Sequence, residues 1–223
     1  MVRMKLHYAP ASSYSQRVVI GLCEKGASYL PIPVDLFDEA AREAYLSVNP
    51  FGRIPSLELA DGRILFESIV ILDYLDLKLP EPPLLPEDPS QMLEARFLER
   101  VIDLYVNRPR NLVFHDLQKD PDSRGGPEVE VAYETLRTAC DLLNKRLSGR
   151  TWLAGQSFSI ADCAAAPTLQ YLRLVLDFDH FTELSNYADR LAQRPSCAQA
   201  WTDGLTQLRE MLKGLPYPLD REI

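Results

Sequence analysis

The sequence predicts an α/β unit followed by an all-helical one, and three observations carry that expectation. Residues 1–80 alternate strand-like and helix-like patterns in the order β-α-β-α-β-β-α. Residues 80–89 read PEPPLLPEDP, five of the chain's 17 prolines, which suits a stiff extended connector and not the interior of an element. Beyond it, apolar residues recur at helical spacing. The expected division is therefore 1–80, a connector over 81–89, and a helical unit over 90–223.

Taken in order, residues 4–8 read as a strand and 12–25 as a helix, with Val18, Val19, Leu22 and Cys23 on its apolar side and a stop at Gly26. A second strand is expected over 29–34 and a weaker helix over 37–48. Pro55 then leads into 56–59, the Asp61-Gly62 turn and 63–66, a hairpin pattern. Glu67-Ser68 opens a helix marked by Ile69, Leu72, Leu75 and Leu79. After the connector, helices are expected over 90–115 and 128–147, the latter with Val129, Ala132, Leu136, Cys140, Leu143 and Leu147 on one face. A last stripe comprises Trp201, Leu205, Leu208 and Leu212, and 120–127 is a polar loop.

At 223 residues and 25.3 kDa the chain has room for two small domains. A net charge of −8 and a pI near 5.0 argue against a nucleic-acid surface, which needs clustered Lys and Arg. No apolar run approaches the ~20 residues that cross a bilayer. Met1, Val2 and Arg3 lead into the first strand pattern without an apolar leader, so the expected location is cytoplasmic. Cys23, Cys140, Cys163 and Cys197 are far apart in sequence and are expected as small buried residues on helices. With His7, His115 and His180 equally scattered, no metal site is expected.

The most informative stretch is Asn49-Pro50-Phe51-Gly52-Arg53-Ile54-Pro55. A proline that ends a turn and enters a strand is a candidate for the cis isomer, leaving the Ile54 backbone free to face a ligand. At Glu67-Ser68, backbone N–H groups and a hydroxyl stand at a helix N-terminus, which favours a carboxylate. Strand and helix start thus converge on a small anionic peptide. Arg53 either brings a cation to a ligand carboxylate or is a solvated turn residue. Glu67 either accepts from a ligand ammonium or answers the helix dipole alone.

Ser12-Ser13-Tyr14-Ser15 lies where the first strand gives way to the first helix. Serine at both ends excludes the disulfide exchange that a Cys-x-x-Cys unit performs there in redox members of the thioredoxin architecture. A serine here either caps the helix or donates a hydrogen bond to a thiolate held beside it. A free thiol has a pKa of about 8.5, and lowering it by ~2 units, about 2.7 kcal/mol of differential stabilisation, makes thiolate the major form at neutral pH. Arg17 reads as a structural tie to neighbouring helices. Ser159 and Asp162 read as a capping box, which explains both without a catalytic carboxylate.

This ordered set resembles the cytosolic glutathione S-transferases, over residues 4–212: NPFGRIP, the ES pair at Glu67-Ser68, the proline-rich connector, WLAG from Trp152, FSIAD from Phe158 and RPS from Arg194. Within the family, ASSYSQRV is similar to the serine-type pattern SSCxxRV of zeta/theta-like bacterial members, with Tyr14 in the place of its cysteine. The resemblance implies a thioredoxin-like domain that binds glutathione as co-substrate and an all-helical domain that supplies the pocket for a hydrophobic electrophilic small molecule. It also implies a homodimer, a role in detoxification and no metal. Ser12 matches the serine that activates the thiol, with Ser13 as the alternative. Arg53, Ile54 and Pro55 match the positions flanking the cis-proline, and Glu67 and Ser68 match the pair that holds the γ-glutamyl end. Tyr14, Tyr105 and His115 are the expected walls of the electrophile pocket. The implied activity is thiolate conjugation; glutathione-dependent isomerisation, as in maleylacetoacetate isomerase, dehalogenation and a non-enzymatic interaction role are the alternatives.

Overall fold

The computed structural model describes residues 4–213. Its first part consists of β1 (Met4–Tyr8), α1 (Ser13–Glu24), β2 (Tyr29–Pro33), α2 (Glu39–Tyr45), β3 (Ser56–Glu58), β4 (Ile64–Phe66) and α3 (Ser68–Lys78). The sheet runs β2-β1-β3-β4, with β1 parallel to β2 across the α1 crossover and the remaining pairs antiparallel. Leu6 and Leu57 pair in register and join Val18 and Leu22 of α1 and Ile71, Leu72 and Leu75 of α3 in the buried core. The two helices approach closely at Gly21, where a Cβ would collide with the Leu72 side chain.

The second part is helical: α4 (Pro89–Val101), a π-helical turn (Ile102–Asn107), α5 (Arg108–Leu117), α6 (Pro127–Leu147), α7 (Ile160–Leu172), α8 (Thr182–Gln193) and α9 (Pro195–Leu212). The helix expected over 90–115 is continuous but widens at its middle. Pro109 has no N–H to offer the carbonyl four residues back, and the Arg108 N–H bonds to Asp103 instead. The helix α8 was not delineated in the sequence because its start, at Phe181, has no local side-chain cap. Asn144 of α6 serves in that role, accepting from the N–H groups of Glu183 at 2.9 Å and Leu184 at 3.1 Å. Among the described residues, no helix is long and apolar enough to cross a membrane.

Residues 79–88 contain no helix or strand, as the prolines require, yet they are firmly held. The Lys25 ammonium donates to Asp76 at 2.5 Å and to the Pro82 carbonyl at 2.6 Å, while Asp76 accepts from the Leu84 N–H at 2.7 Å. The Ile160 N–H in turn bonds to the Leu84 carbonyl. Of the four cysteines, Cys140, Cys163 and Cys197 are buried as expected, but Cys23 faces solvent at the edge of α1, beyond the stripe that packs on the sheet.

The WLAG, FSIAD and RPS segments form one cluster. Ser159 caps α7 and Asp162 closes the capping box, but Asp162 does more than the sequence suggested. Fully buried, it also accepts from the Leu153 N–H at 2.9 Å and the Tyr187 hydroxyl at 2.6 Å. Arg194 lies over the rings of Phe158 and Trp152 and forms a bidentate bond, both arms 2.7 Å, to Glu24 at the end of α1.

Ser159→Ala should cost about 1 kcal/mol through loss of a cap. Asp162→Ala should cost about 3 kcal/mol, because it leaves the buried Ser159 and Leu153 N–H groups and the Tyr187 hydroxyl unpaired. Urea unfolding of the two variants checks the ranking, and equal costs would contradict it.

Burial alone would raise the Glu24 carboxyl, but the bonds from Arg194 and Ser196 and the Arg194 charge outweigh it and hold the group below its ordinary value. A carboxyl depressed in the folded state adds stability that is present above its unfolded pKa of about 4.3 and lost as pH falls through the folded value. Glu24→Gln should therefore be less stable than the native chain at neutral pH, with the gap closing in acid. A gap that stays constant across a pH series of unfolding curves would refute the assignment.

Candidate functional site

Two adjoining pockets meet between the sheet unit and the helices. One, of about 390 Å³, is walled by Ala11, Ser12, Val34, Leu36, Phe37 and Met211, among others, and is largely apolar. The other, of about 550 Å³, is polar and is lined by Asn49, Pro55, Glu67, Ser68, Asp103, Arg108 and Asn111. Tyr14, Arg53 and Ile54 belong to both.

Ser12 stands at the start of α1, its Oγ accepting from the Ser15 N–H at 3.3 Å. The loop before it is clasped by the helical part. The Ala11 N–H donates to Gln207 of α9 at 2.8 Å, the Tyr171 hydroxyl of α7 donates to the Ala11 carbonyl at 2.5 Å, and Gln16 donates to the Pro10 carbonyl at 2.8 Å. Gly204 permits this contact, since a Cβ there would strike the Gln16 side chain and the Pro10 carbonyl. Ser13 is placed differently. Its buried hydroxyl donates to Asn107 at 3.3 Å and accepts from Arg110 at 3.2 Å, and it lines neither pocket.

Arg17 lies under this turn, 2 % exposed, 3.5 Å from Glu99 and 3.2 Å from Asp103. Its guanidinium sits 4.5 Å from the centre of the Tyr14 ring. Burial and the Asp103 charge raise the Tyr14 phenol above its ordinary value. The Tyr8 phenol is also raised, by burial and Asp203, and lines neither pocket.

Across the cleft, the Asn49 side chain holds the turn from both ends, donating to the Arg53 carbonyl at 2.7 Å and accepting from the Phe51 N–H at 3.0 Å. Tyr45 donates to the same carbonyl at 2.9 Å. The Ile54–Pro55 bond is cis, as expected from the turn. Glu67 has φ 72°, unique among the described non-glycine residues, and offers α3 no side-chain cap. The first N–H groups of α3 at Ser68 therefore open on the polar pocket without a side-chain acceptor from Glu67.

The structure thus brings Ser12, Tyr14, Arg53, Ile54, Pro55, Glu67 and Ser68 to one composite cleft. It does not bring Tyr105 and His115 there: Tyr105 is 53 % exposed and lines neither pocket, and His115 lines a separate hollow between α5 and the start of α6. Both follow from the helical path, which turns Arg108 and Asn111 to the cleft in their stead. Asn49 could have been found in its motif. Gln207 and Met211 carried no local signal, because only the packing of α9 brings them in. Among the described residues, no group of three His, Cys, Asp or Glu side chains is placed to hold a metal.

Residues 6–83 match the family model of the glutathione S-transferase N-terminal domain, and residues 126–210 that of the C-terminal domain. A probable maleylacetoacetate isomerase of Caenorhabditis elegans is 30% identical, over 86% of this chain and 90% of that protein. A stringent starvation protein A homolog of Histophilus somni is also 30% identical, over 88% and 89%. Among solved structures, a glutathione S-transferase from Methylobacterium radiotolerans in complex with glutathione sulfonate superposes with a TM-score of 0.79 at 32% identity, covering 89% of this chain and 94% of that one.

Ser13→Ala should destabilise the chain by about 1–2 kcal/mol, because Asn107 and Arg110 lose a buried partner. Urea unfolding tests this; a neutral effect would show the hydroxyl to be dispensable there.

Proposed function

Because the chain belongs to the glutathione S-transferase family, we propose that it holds glutathione along the composite cleft and presents the thiolate beside Ser12 to an electrophilic small molecule. The observation that carries this reading is the difference between the two serines: Ser12 lines the cleft, whereas Ser13 is engaged behind it. In this reading the γ-glutamyl carboxylate meets the N–H groups and hydroxyl of Ser68, its ammonium meets Glu67, and the cysteinyl backbone pairs with Ile54. Arg53 faces the glycyl carboxylate. The first unit, 1–80, holds glutathione, and the helical unit after the connector completes the electrophile's pocket with Gln207 and Met211 of α9.

Ser12 acts by donating its hydroxyl hydrogen to the thiolate sulfur, aided by the positive end of α1. The charged form is thereby favoured, and more of the bound thiol is ionised at neutral pH. The thiolate then forms a bond to the electrophilic carbon, whose electron pair leaves with a halide or moves to a neighbouring carbonyl. A second reading, glutathione-dependent isomerisation, is favoured by the similarity to a probable maleylacetoacetate isomerase. It uses the same activated thiolate, which adds to an alkene and is expelled after rotation about the former double bond. We place the protein in the cytoplasm as a homodimer that serves detoxification, and the exposed Phe51, 70 % accessible beside the cleft, is suited to a subunit contact.

Ultraviolet thiolate absorbance of bound glutathione across a pH series should give a thiol pKa well below ~8.5. Ser12→Ala should raise it and lower turnover roughly 10²-fold, the scale of one lost oxyanion donor, while Ser13→Ala acts mainly on stability. Binding with an unshifted thiol and no turnover on a broad electrophile panel would favour an interaction module over an enzyme.

A further inference from the structure

The charges of the polar pocket exceed what glutathione can satisfy. Glutathione brings two carboxylates, one ammonium and a thiolate. In the reading above, these are met by Ser68 with the α3 N-terminus, by Arg53, by Glu67 and by Ser12. Asp103 also lines the pocket, but it is engaged by Arg17 and by Arg100, each at 3.2 Å. Arg108 is left over. It is exposed, lines the pocket beside Asn111, and has no side-chain hydrogen bond or ion pair among the described residues. Most arginines nearby are held: Arg17 and Arg100 by carboxylates, Arg110 by Ser13 and Asn107.

We infer that Arg108, with Asn111 beside it, anchors an anionic group on the electrophile, so that the second substrate is an organic acid carrying its carboxylate away from the reacting carbon. The inference rests on the transferase reading and deepens it. A guanidinium at a pocket wall offers a carboxylate two parallel donors, and the Asn111 amide adds a third. Tyr14, shared by both pockets, lies between this anchor and the thiol site at Ser12. A substrate that spans the two therefore lies along the Tyr14 ring, with its apolar body toward the apolar pocket. Recognition of this kind discriminates strongly, because an analogue without the anion leaves the cation unanswered.

The test uses ethacrynate and its methyl ester, which share one enone and differ only in a remote carboxylate. In both, the thiolate sulfur bonds to the terminal methylene carbon, the alkene pair moves onto the carbonyl as an enolate, and the α-carbon takes a proton from water. With each rate divided by its uncatalysed rate with glutathione, the native protein should prefer the acid roughly tenfold in kcat/KM, the scale of one charge-assisted hydrogen bond. Arg108→Gln should bring the ratio to about 1, and Arg108→Lys should restore part of it. An unchanged ratio in Arg108→Gln would overturn the inference. So would a raised KM for glutathione with the acid preference intact, which would assign Arg108 to the tripeptide.

Affinity for the two preformed glutathione adducts, measured by calorimetry, keeps the inference testable without turnover. The acid adduct should bind about tenfold tighter, and this preference should vanish in Arg108→Gln. Equal affinities for the native protein would refute the anchor even if both electrophiles turn over. Absent turnover with the adduct preference intact would instead refute the transferase reading and leave the anchor standing.

Discussion

The arrangement depends on one buried cation. Arg17 issues from the first helix of the sheet unit and ends between Glu99 and Asp103 of the helical unit, almost wholly out of water. Burial raises the Glu99 carboxyl, with Arg17 the largest opposing influence. Such a cluster adds little net stability compared with a well-packed apolar one, but losing a single partner is expensive. Its value is geometric: it fixes the rotation of α1 against α4. The helix start that carries Ser12 and the ring of Tyr14 are thereby set relative to both units.

The same economy runs through the cleft. The polar groups that position the site are bonded to one another: Asn49 to the turn at Arg53, Tyr171 and Gln207 to Ala11, Arg110 to Ser13 and Asn107. The groups facing the pockets, Arg53, Glu67, Ser68 and Arg108, lie at the mouth of the polar chamber. Rigid support behind and open valences in front is the pattern expected of a preorganised site.

Local chemistry made much of this legible in the sequence. The strands, the hairpin and the helix starts at Ser12 and Ser159 follow from alternation, the Asp61-Gly62 turn and capping residues. The cis bond at Pro55 and the family resemblance followed from one ordered set of short motifs. What escaped was set by distant partners. The start of α8 is capped from α6, the π turn is imposed by Pro109 within an otherwise regular stripe, and Cys23 lies on a helix whose apolar arc was read one residue too wide. Tyr105 and His115 were expected at the cleft on residue type, but the helical path exposes Tyr105 and directs Arg108 and Asn111 inward. Arg108 drew no notice as one charged residue among many, and only its lack of a partner sets it apart.

The connector has a consequence for ligand traffic. Sites between two domains commonly open by a hinge, with a flexible linker absorbing the rotation. Here Lys25 and Asp76 grip the segment at Pro82 and Leu84, and Ile160 takes the Leu84 carbonyl from the other side. With that joint locked, the two units move as one body, and molecules enter and leave through the permanent mouth bordered by Phe37 and Met211. Exchange is then gated by exposed side chains, which reorient in picoseconds to nanoseconds, and not by the far slower swing of a domain.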